Sequence, residues 1–210
     1  MNEQPPGRAR RKPDGRSVGR VSRQDWVDAA RRALIDGGVD AIKVDRLARQ
    51  MNITRGSFYW HFSARSDLLD ALLNDWAGSA VVPFREAYET ADGAPDRQLR
   101  QLLALFTGDG GLDPAHEAAM RGWARLDPET ASVVRSADAE RIGLLEQVFV
   151  ALGFDGDEAQ DRARIGYYHQ IGASFSVTGD GGEHHGLLSG LLNVIVRRDE
   201  DAARALAQFA

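Results

Sequence analysis

The run Thr54-Arg55-Gly56-Ser57-Phe58-Tyr59-Trp60-His61-Phe62 gathers a guanidinium, three hydroxyls, an imidazole and four aromatic rings into one short stretch. A guanidinium can donate to guanine O6 and N7 together, hydroxyls and imidazole can donate to phosphate oxygens, and ring faces can pack on sugars or thymine methyls. Wound at about 3.6 residues per turn, the stretch places Phe58 and Phe62 one above the other as an apolar anchor. Gly56 and Trp60 then point away from that anchor, Ser57 and His61 flank them, and Arg55 projects near the start. A glycine at position 56 allows a foreign backbone to approach closely. Five consecutive residues from Phe58 to Phe62 cannot all be buried by one helix face, which argues against an aromatic core helix. Arg55 is the strongest candidate base reader, a contact worth about 1–3 kcal/mol of discrimination, with a phosphate contact as the alternative. Trp60 is read either as a thymine or sugar contact or as a half-exposed shield over the turn.

Charge supports a polyanionic partner. The net charge of −5 is unevenly distributed, with 14 Lys and Arg against 7 Asp and Glu in residues 1–66, and 12 against 24 in the remainder. A basic end on an acidic body meets a polyanion in one orientation, which suits nucleic acid. The absence of cysteine excludes a disulfide framework, a Cys-ligated zinc site and a thiol nucleophile. The five histidines, His61, His116, His169, His184 and His185, match no zinc spacing, so no metal site is expected. Thr-Gly-Asp-Gly-Gly occurs at 107–111 and again at 178–182, both without the lysine of a phosphate-binding loop. No nucleophile elbow or dinucleotide fingerprint is present, and the expectation is a non-enzyme without a cofactor. Residues 1–20 lack an apolar signal core, and the apolar stretch from Gly186 to Val196 is too short for a bilayer. The expected location is the cytoplasm.

The elements that must hold the 54–62 stretch follow from periodicity. Residues 1–21 read as a disordered basic arm, rich in Arg, Pro and Gly. Ser22-Arg23-Gln24-Asp25 reads as a capping box opening a helix through Trp26, Ala30, Ala33 and Leu34, closed by Gly37-Gly38. A second helix is expected from Asp45 to Met51, with Val44, Leu47 and Ala48 inward and Arg46 and Arg49 outward. Asn52 breaks it, since asparagine tolerates the left-handed conformation. Thr54 is expected to cap the third helix and Ser63 to cap a long one through Leu68, Leu72 and Trp76, which Pro83 should bend or end. Further helical patterns cover 97–106, 114–126, 128–152, 157–178 and 185–196. No alternating strand pattern is found, so the fold class is all-α: a helix-turn-helix domain at 22–66 and a helical domain at 67–210. Leu187, Leu188, Leu191, Leu192 and Ile195, with the small face Ala163, Gly166, Gln170, Ala173 and Val177, read as a dimerisation element, with an intramolecular core as the alternative.

Ser22 to about Leu73 resembles the DNA-binding domain of the tetracycline-repressor (TetR) family. The resemblance rests on Trp26 to Leu34, Gly38-Val39-Asp40-Ala41, Val44-x-x-Leu47-Ala48, Ile53-Thr54-x-Gly56-Ser57-Phe58-Tyr59-x-His61-Phe62 and Arg65-x-x-Leu68. It implies that Tyr59, His61 and Arg65 contact phosphates, that Arg55, Gly56, Ser57 and Trp60 face bases or nearby backbone, and that Thr54 touches phosphate. Three positions depart from the pattern: Lys43 stands where the family often has Thr or Ser, Asn52 replaces a turn glycine, and Arg65 replaces a lysine. Lys43 keeps phosphate attraction without capping. The resemblance further implies a homodimer on a palindromic operator and a repressor released by a small-molecule inducer. The inducer cavity would draw on Phe106, His116, Met120, Trp123, Tyr167, Tyr168, His169, Gln170 and Phe175. A helical protein-interaction module without specific DNA binding is the alternative. Arg55→Ala is expected to alter base preference as well as affinity, whereas Tyr59→Ala and Arg65→Ala weaken cognate and scrambled duplexes alike. Equal losses for both duplexes in Arg55→Ala, measured by competition binding, would remove Arg55 as a reader.

Overall fold

The computed structural model describes residues 21–106, 112–174, 190 and 195–196. All regular elements among them are helical, as the sequence predicts. Helix α1 spans Arg23–Gly37, and its start is the expected capping box: Asp25 N donates to Ser22 Oγ at 3.2 Å and Ser22 N to Asp25 Oδ2 at 2.7 Å. Gly38 closes it with a φ of 72°, a conformation that favours glycine. Helix α2 spans Val44–Gln50, burying Leu47 and Ala48 and leaving Arg46 and Arg49 exposed. Asn52 takes a φ of 55° and turns the chain into the short helix Arg55–Trp60.

Helix α3 spans Arg65–Thr90 and corrects one expectation. Its N-cap position is Ala64 rather than Ser63, and the capping oxygen comes from inside the helix: Asp67 Oδ2 accepts from Ser63 N at 2.9 Å and Ala64 N at 3.3 Å. Pro83 lies within α3 and does not end it. The carbonyl deprived of its partner belongs to Ser79, which is exposed, so water can take the place of the missing N–H. Helices α4 (Pro95–Ala104), α5 (Pro114–Ala124), α6 (Pro128–Ala151) and α7 (Gly156–Ser174) complete the described fold. Asp113 and Asp127 cap α5 and α6 in front of prolines that need no N–H partner in the first turn. The expected helix at 185–196 lies largely outside the described residues.

Two apolar cores result among the described residues. The first runs from Trp26, Leu34, Ile42, Leu47 and Phe58 through Leu72 and Trp76 on α3 into Met120, Trp123, Val134 and Ala137. It therefore crosses the expected 66/67 boundary without a break. The second joins Phe84, Leu99, Phe106, Leu145, Phe149 and Tyr167. Among the described residues no helix is long and apolar enough to cross a membrane.

Candidate nucleic-acid interface

Burial sorts the 54–62 stretch into an anchor and a display. Phe58 meets Trp26 edge-on with ring centres 5.1 Å apart and stacks on Phe62 at 5.3 Å, and all three rings are buried. The adjoining Trp60 is 83% exposed and Tyr59 52%. Arg55, Gly56 and Thr54 are exposed with them, and Ser57 and His61 are half-buried. The element is a 3-10 helix, and Thr54 stands at its N-cap position in extended conformation without a side-chain capping bond. The cap expected of Thr54 is therefore not made, which leaves its hydroxyl uncommitted to that role. A Cβ at Gly56 would lie 3.7 Å from Thr54 Oγ1, an ordinary contact, so space inside the chain does not demand glycine there.

The charged candidates are partly engaged. Arg55 Nη2 donates to Tyr59 Oη at 3.0 Å and Arg55 Nε lies 3.5 Å from Asp45 Oδ1. The Tyr59 hydrogen bond and then the Asp45 charge raise the Arg55 pKa and secure its protonation. His61 Nε2 donates to Val21 O at 2.8 Å, and Val21 packs against the first core, so the arm is tied down at its last residue. Arg65 does more than a free phosphate ligand would: Nε donates to Ile42 O and Nη2 to Val39 O, both at 2.6 Å. It thereby holds the turn before α2, where Lys43 is exposed at the N-cap position without a capping bond.

Behind this face lies a buried polar network that sequence reasoning missed. Arg141 on α6 is fully buried; its Nη1 and Nη2 each donate to a Glu117 oxygen at 2.9 Å, and its Nε donates to Ala80 O of α3 at 2.9 Å. Trp76 Nε1 donates to Glu117 Oε1 at 3.1 Å. Arg121 grips Asp138 with two bonds of 2.8 Å, and Tyr167 Oη donates to Asp138 at 2.6 Å while accepting from Arg121 and Arg141. Burial opposes the Arg141 charge most strongly, but the hydrogen bonds and charge interactions with Glu117 and Tyr167 together outweigh it and raise the pKa. A helical stripe of Val134, Ala137, Leu145 and Val148 encloses Arg141, and that spacing was the available signal.

Residues 27–72 match the family described as bacterial regulatory proteins, tetR family. These residues therefore carry a domain of this family. The chain is 30% identical over 123 residues to the regulator EthR of Mycolicibacterium smegmatis, 57% of each chain. It is 35% identical over 83 residues to the regulator AcrR of Shigella flexneri, 39% of this chain and 38% of that one. It is 34% identical over 55 residues to the class D tetracycline repressor of Escherichia coli, 26% and 25% of the two. The chain thus spans about a quarter to under three fifths of these relatives' lengths. The fold extends further: a transcriptional regulator from Rhodococcus sp. Rha1 superposes with a TM-score of 0.63 over 84% of this chain and 94% of that one, at 18% identity. A TetR/AcrR-family regulator from Thermobifida fusca gives 0.60 over 84% and 98%, at 19% identity.

The body behind the TetR-family domain distributes the expected ligand residues rather than gathering them. Met120 and Trp123 lie in the first core, Phe106 and Tyr167 in the second, and His116 and Gln170 are buried. Tyr168 and His169 are exposed on α7, and Phe175 lies outside the described residues. A groove of about 510 Å³ between α1 and α5 takes Trp123 alone from this set. On α7, Ala163 and Gly166 are buried, and a Cβ on Gly166 would come within 3.3 Å of Ile195 Cδ1. At these positions the small face packs within the chain, whereas Ile165 and Tyr168 face outward. Ala173's side chain and Val177, Leu187, Leu188, Leu191 and Leu192 lie outside the described residues. The described residues contain no cluster able to hold a metal.

Glu117→Ala strands the Arg141 charge in the interior and should cost about 3–5 kcal/mol in urea unfolding, whereas Glu117→Leu combined with Arg141→Met should recover much of that loss. His116 is buried with Nε2 lacking a hydrogen-bond partner, and its pKa is lowered first by burial and next by the Arg31 charge, against Asp113, Glu117 and Asp75. A depressed histidine binds its proton more readily when unfolded, so its contribution is present above 6.5 and declines as pH falls below it. Unfolding of His116→Asn should accordingly lose less stability than wild type on going from neutral pH to the range just above the carboxylates, and parallel curves would contradict this.

Proposed function

We propose that this chain is a DNA-binding transcriptional regulator that recognises a palindromic operator as a homodimer and is released by a small-molecule inducer. The observation that carries the reading is the outward display of Tyr59 and Trp60 beside the buried Phe58, on a surface that also offers Arg55, Lys43 and Arg65. Burial of Phe58 and Phe62 fixes the short helix, so the exposed rings and Arg55 are rigidly presented to a groove. The contacts assigned are Lys43, Thr54, Tyr59, His61 and Arg65 to the backbone, and Arg55, Gly56, Ser57 and Trp60 to bases or adjacent sugar. Freedom of space at Gly56 favours a glycine kept for an approaching duplex.

The homodimer is assigned to the outward face of α7, where Ile165 and Tyr168 are exposed. Two-fold symmetry then requires two half-sites read by equivalent helices. Repression is the favoured outcome because occluding a promoter needs no additional contact surface. The inducer must bind the DNA-incompetent arrangement more tightly than the competent one, since equal affinity shifts nothing. Its binding groups are proposed among Phe106, His116, Met120, Trp123, Tyr167, Tyr168, His169, Gln170 and Phe175. The protein works in the cytoplasm, carries no catalytic role and takes no cofactor.

Selection of binding sites from a random duplex pool, followed by affinity across a salt series, tests the reading. An enriched palindrome is expected, with log affinity falling against log salt by about 0.9 per phosphate contacted. Absence of any enriched sequence would favour the protein-interaction module instead.

A further inference from the structure

Asp45 is an acid on a face where Lys43, Arg46, Arg49 and Arg55 are all exposed. Its side chain and that of Arg55 are both more than half exposed, so their 3.5 Å approach contributes little to folding. A carboxylate facing a polyanion also weakens unspecific attraction. Asp45 does stand in the first turn of α2, where a carboxylate complements the helix dipole, but general affinity for a polyanion leaves it unexplained.

Its effect on Arg55 supplies the explanation. Asp45 engages the Nε side of the guanidinium from α2, while Tyr59 Oη, one turn along the short helix, takes an Nη2 hydrogen at 3.0 Å. The Tyr59 ring centre lies 5.8 Å from the guanidinium carbon. The side chain is thus held from two directions, and both Nη1 hydrogens remain available with one on Nη2. Neighbouring hydrogens on these two nitrogens form the edge that can donate in parallel to guanine O6 and N7. Holding a long flexible side chain in that pose before binding lowers the ordering cost of the base contact. The Asp45 charge simultaneously repels a phosphate that would otherwise capture Arg55.

We propose that Asp45 is a positioning residue that presents Arg55 end-on to a guanine and turns it away from phosphate, thereby setting sequence specificity. The inference rests on the DNA-reading assignment above. It is tested by sequence selection and quantitative competition with wild type, Asp45→Asn, Asp45→Glu, Arg55→Gln and the Asp45→Asn/Arg55→Gln double variant, with melting curves for each.

Wild type should prefer guanine at one position in each half-site, and Arg55→Gln should lose that preference. Asp45→Asn should reduce the same preference by about fivefold, leave other positions unchanged, and bind scrambled duplex more tightly. Asp45→Glu should restore part of the preference, and the double variant should match Arg55→Gln. A merely structural role in the first turn of α2 would instead lower the melting temperature and weaken every position alike, overturning the proposal. An unchanged guanine preference in Asp45→Asn would also overturn it. If wild type selects a sequence and Asp45→Asn behaves like it, only the positioning role fails. If wild type selects none, the DNA-reading assignment fails and the positioning role with it.

Discussion

A fully buried arginine is the constraint around which this structure is arranged. Arg141 cannot lose its proton, and an uncompensated charge in an apolar interior costs several kcal/mol or more. Its hydrogen bonds to Glu117 on α5, Ala80 on α3 and Tyr167 on α7 therefore require four helices to meet at one place. The second pair, Arg121 with Asp138, shares Tyr167 with the first and leaves the two arginines matched by two carboxylates. Such a network adds little stability relative to a well-packed apolar alternative, but its geometry is intolerant of sliding.

That intolerance matters because α3 is common to both regions of the chain. Its N-terminal half closes the core under Trp26 and Phe58, and its middle supplies Trp76 and the Ala80 carbonyl to the network. Arg31 on α1 reaches Asp75 on α3 at 2.6 Å, and Trp123 of α5 joins the same core. The packed core thus runs without a break from α5 and α6 through α3 to the short Arg55–Trp60 element. The displayed aromatic and basic face has its orientation fixed from behind, by the body.

The local features were legible in the sequence because their causes are local. The Ser22 capping box, the left-handed Asn52, the buried Phe58–Phe62 pair and the prolines opening α5 and α6 each depend on a few neighbouring residues. Misreadings arose where a distant or competing partner decides. Ser63 looked like a cap, but the Asp67 carboxylate takes the orphan N–H groups. Of the two outcomes expected of Pro83, a bend or an end, the helix does not end there, and the carbonyl it orphans belongs to a residue facing water. On the small face of α7, Ala163 and Gly166 are buried within the chain, Gly166 against Ile195, which at these two positions favours the intramolecular alternative. The carbonyls that Arg65 holds lie more than twenty residues away, so this structural role of Arg65 was not legible locally. Arg141 and Glu117 escape a local reading because they pair with each other across 24 residues, although the apolar stripe around Arg141 marks it as buried.

Residue-resolved amide hydrogen exchange in Arg141→Ala tests most directly the claim that this network joins the displayed face to the body. If the account is right, protection in α1 around Trp26–Leu34 falls together with protection in α6 and α7, because the regions open as one unit. Loss of protection confined to α6 and α7, with α1 unchanged, would contradict it.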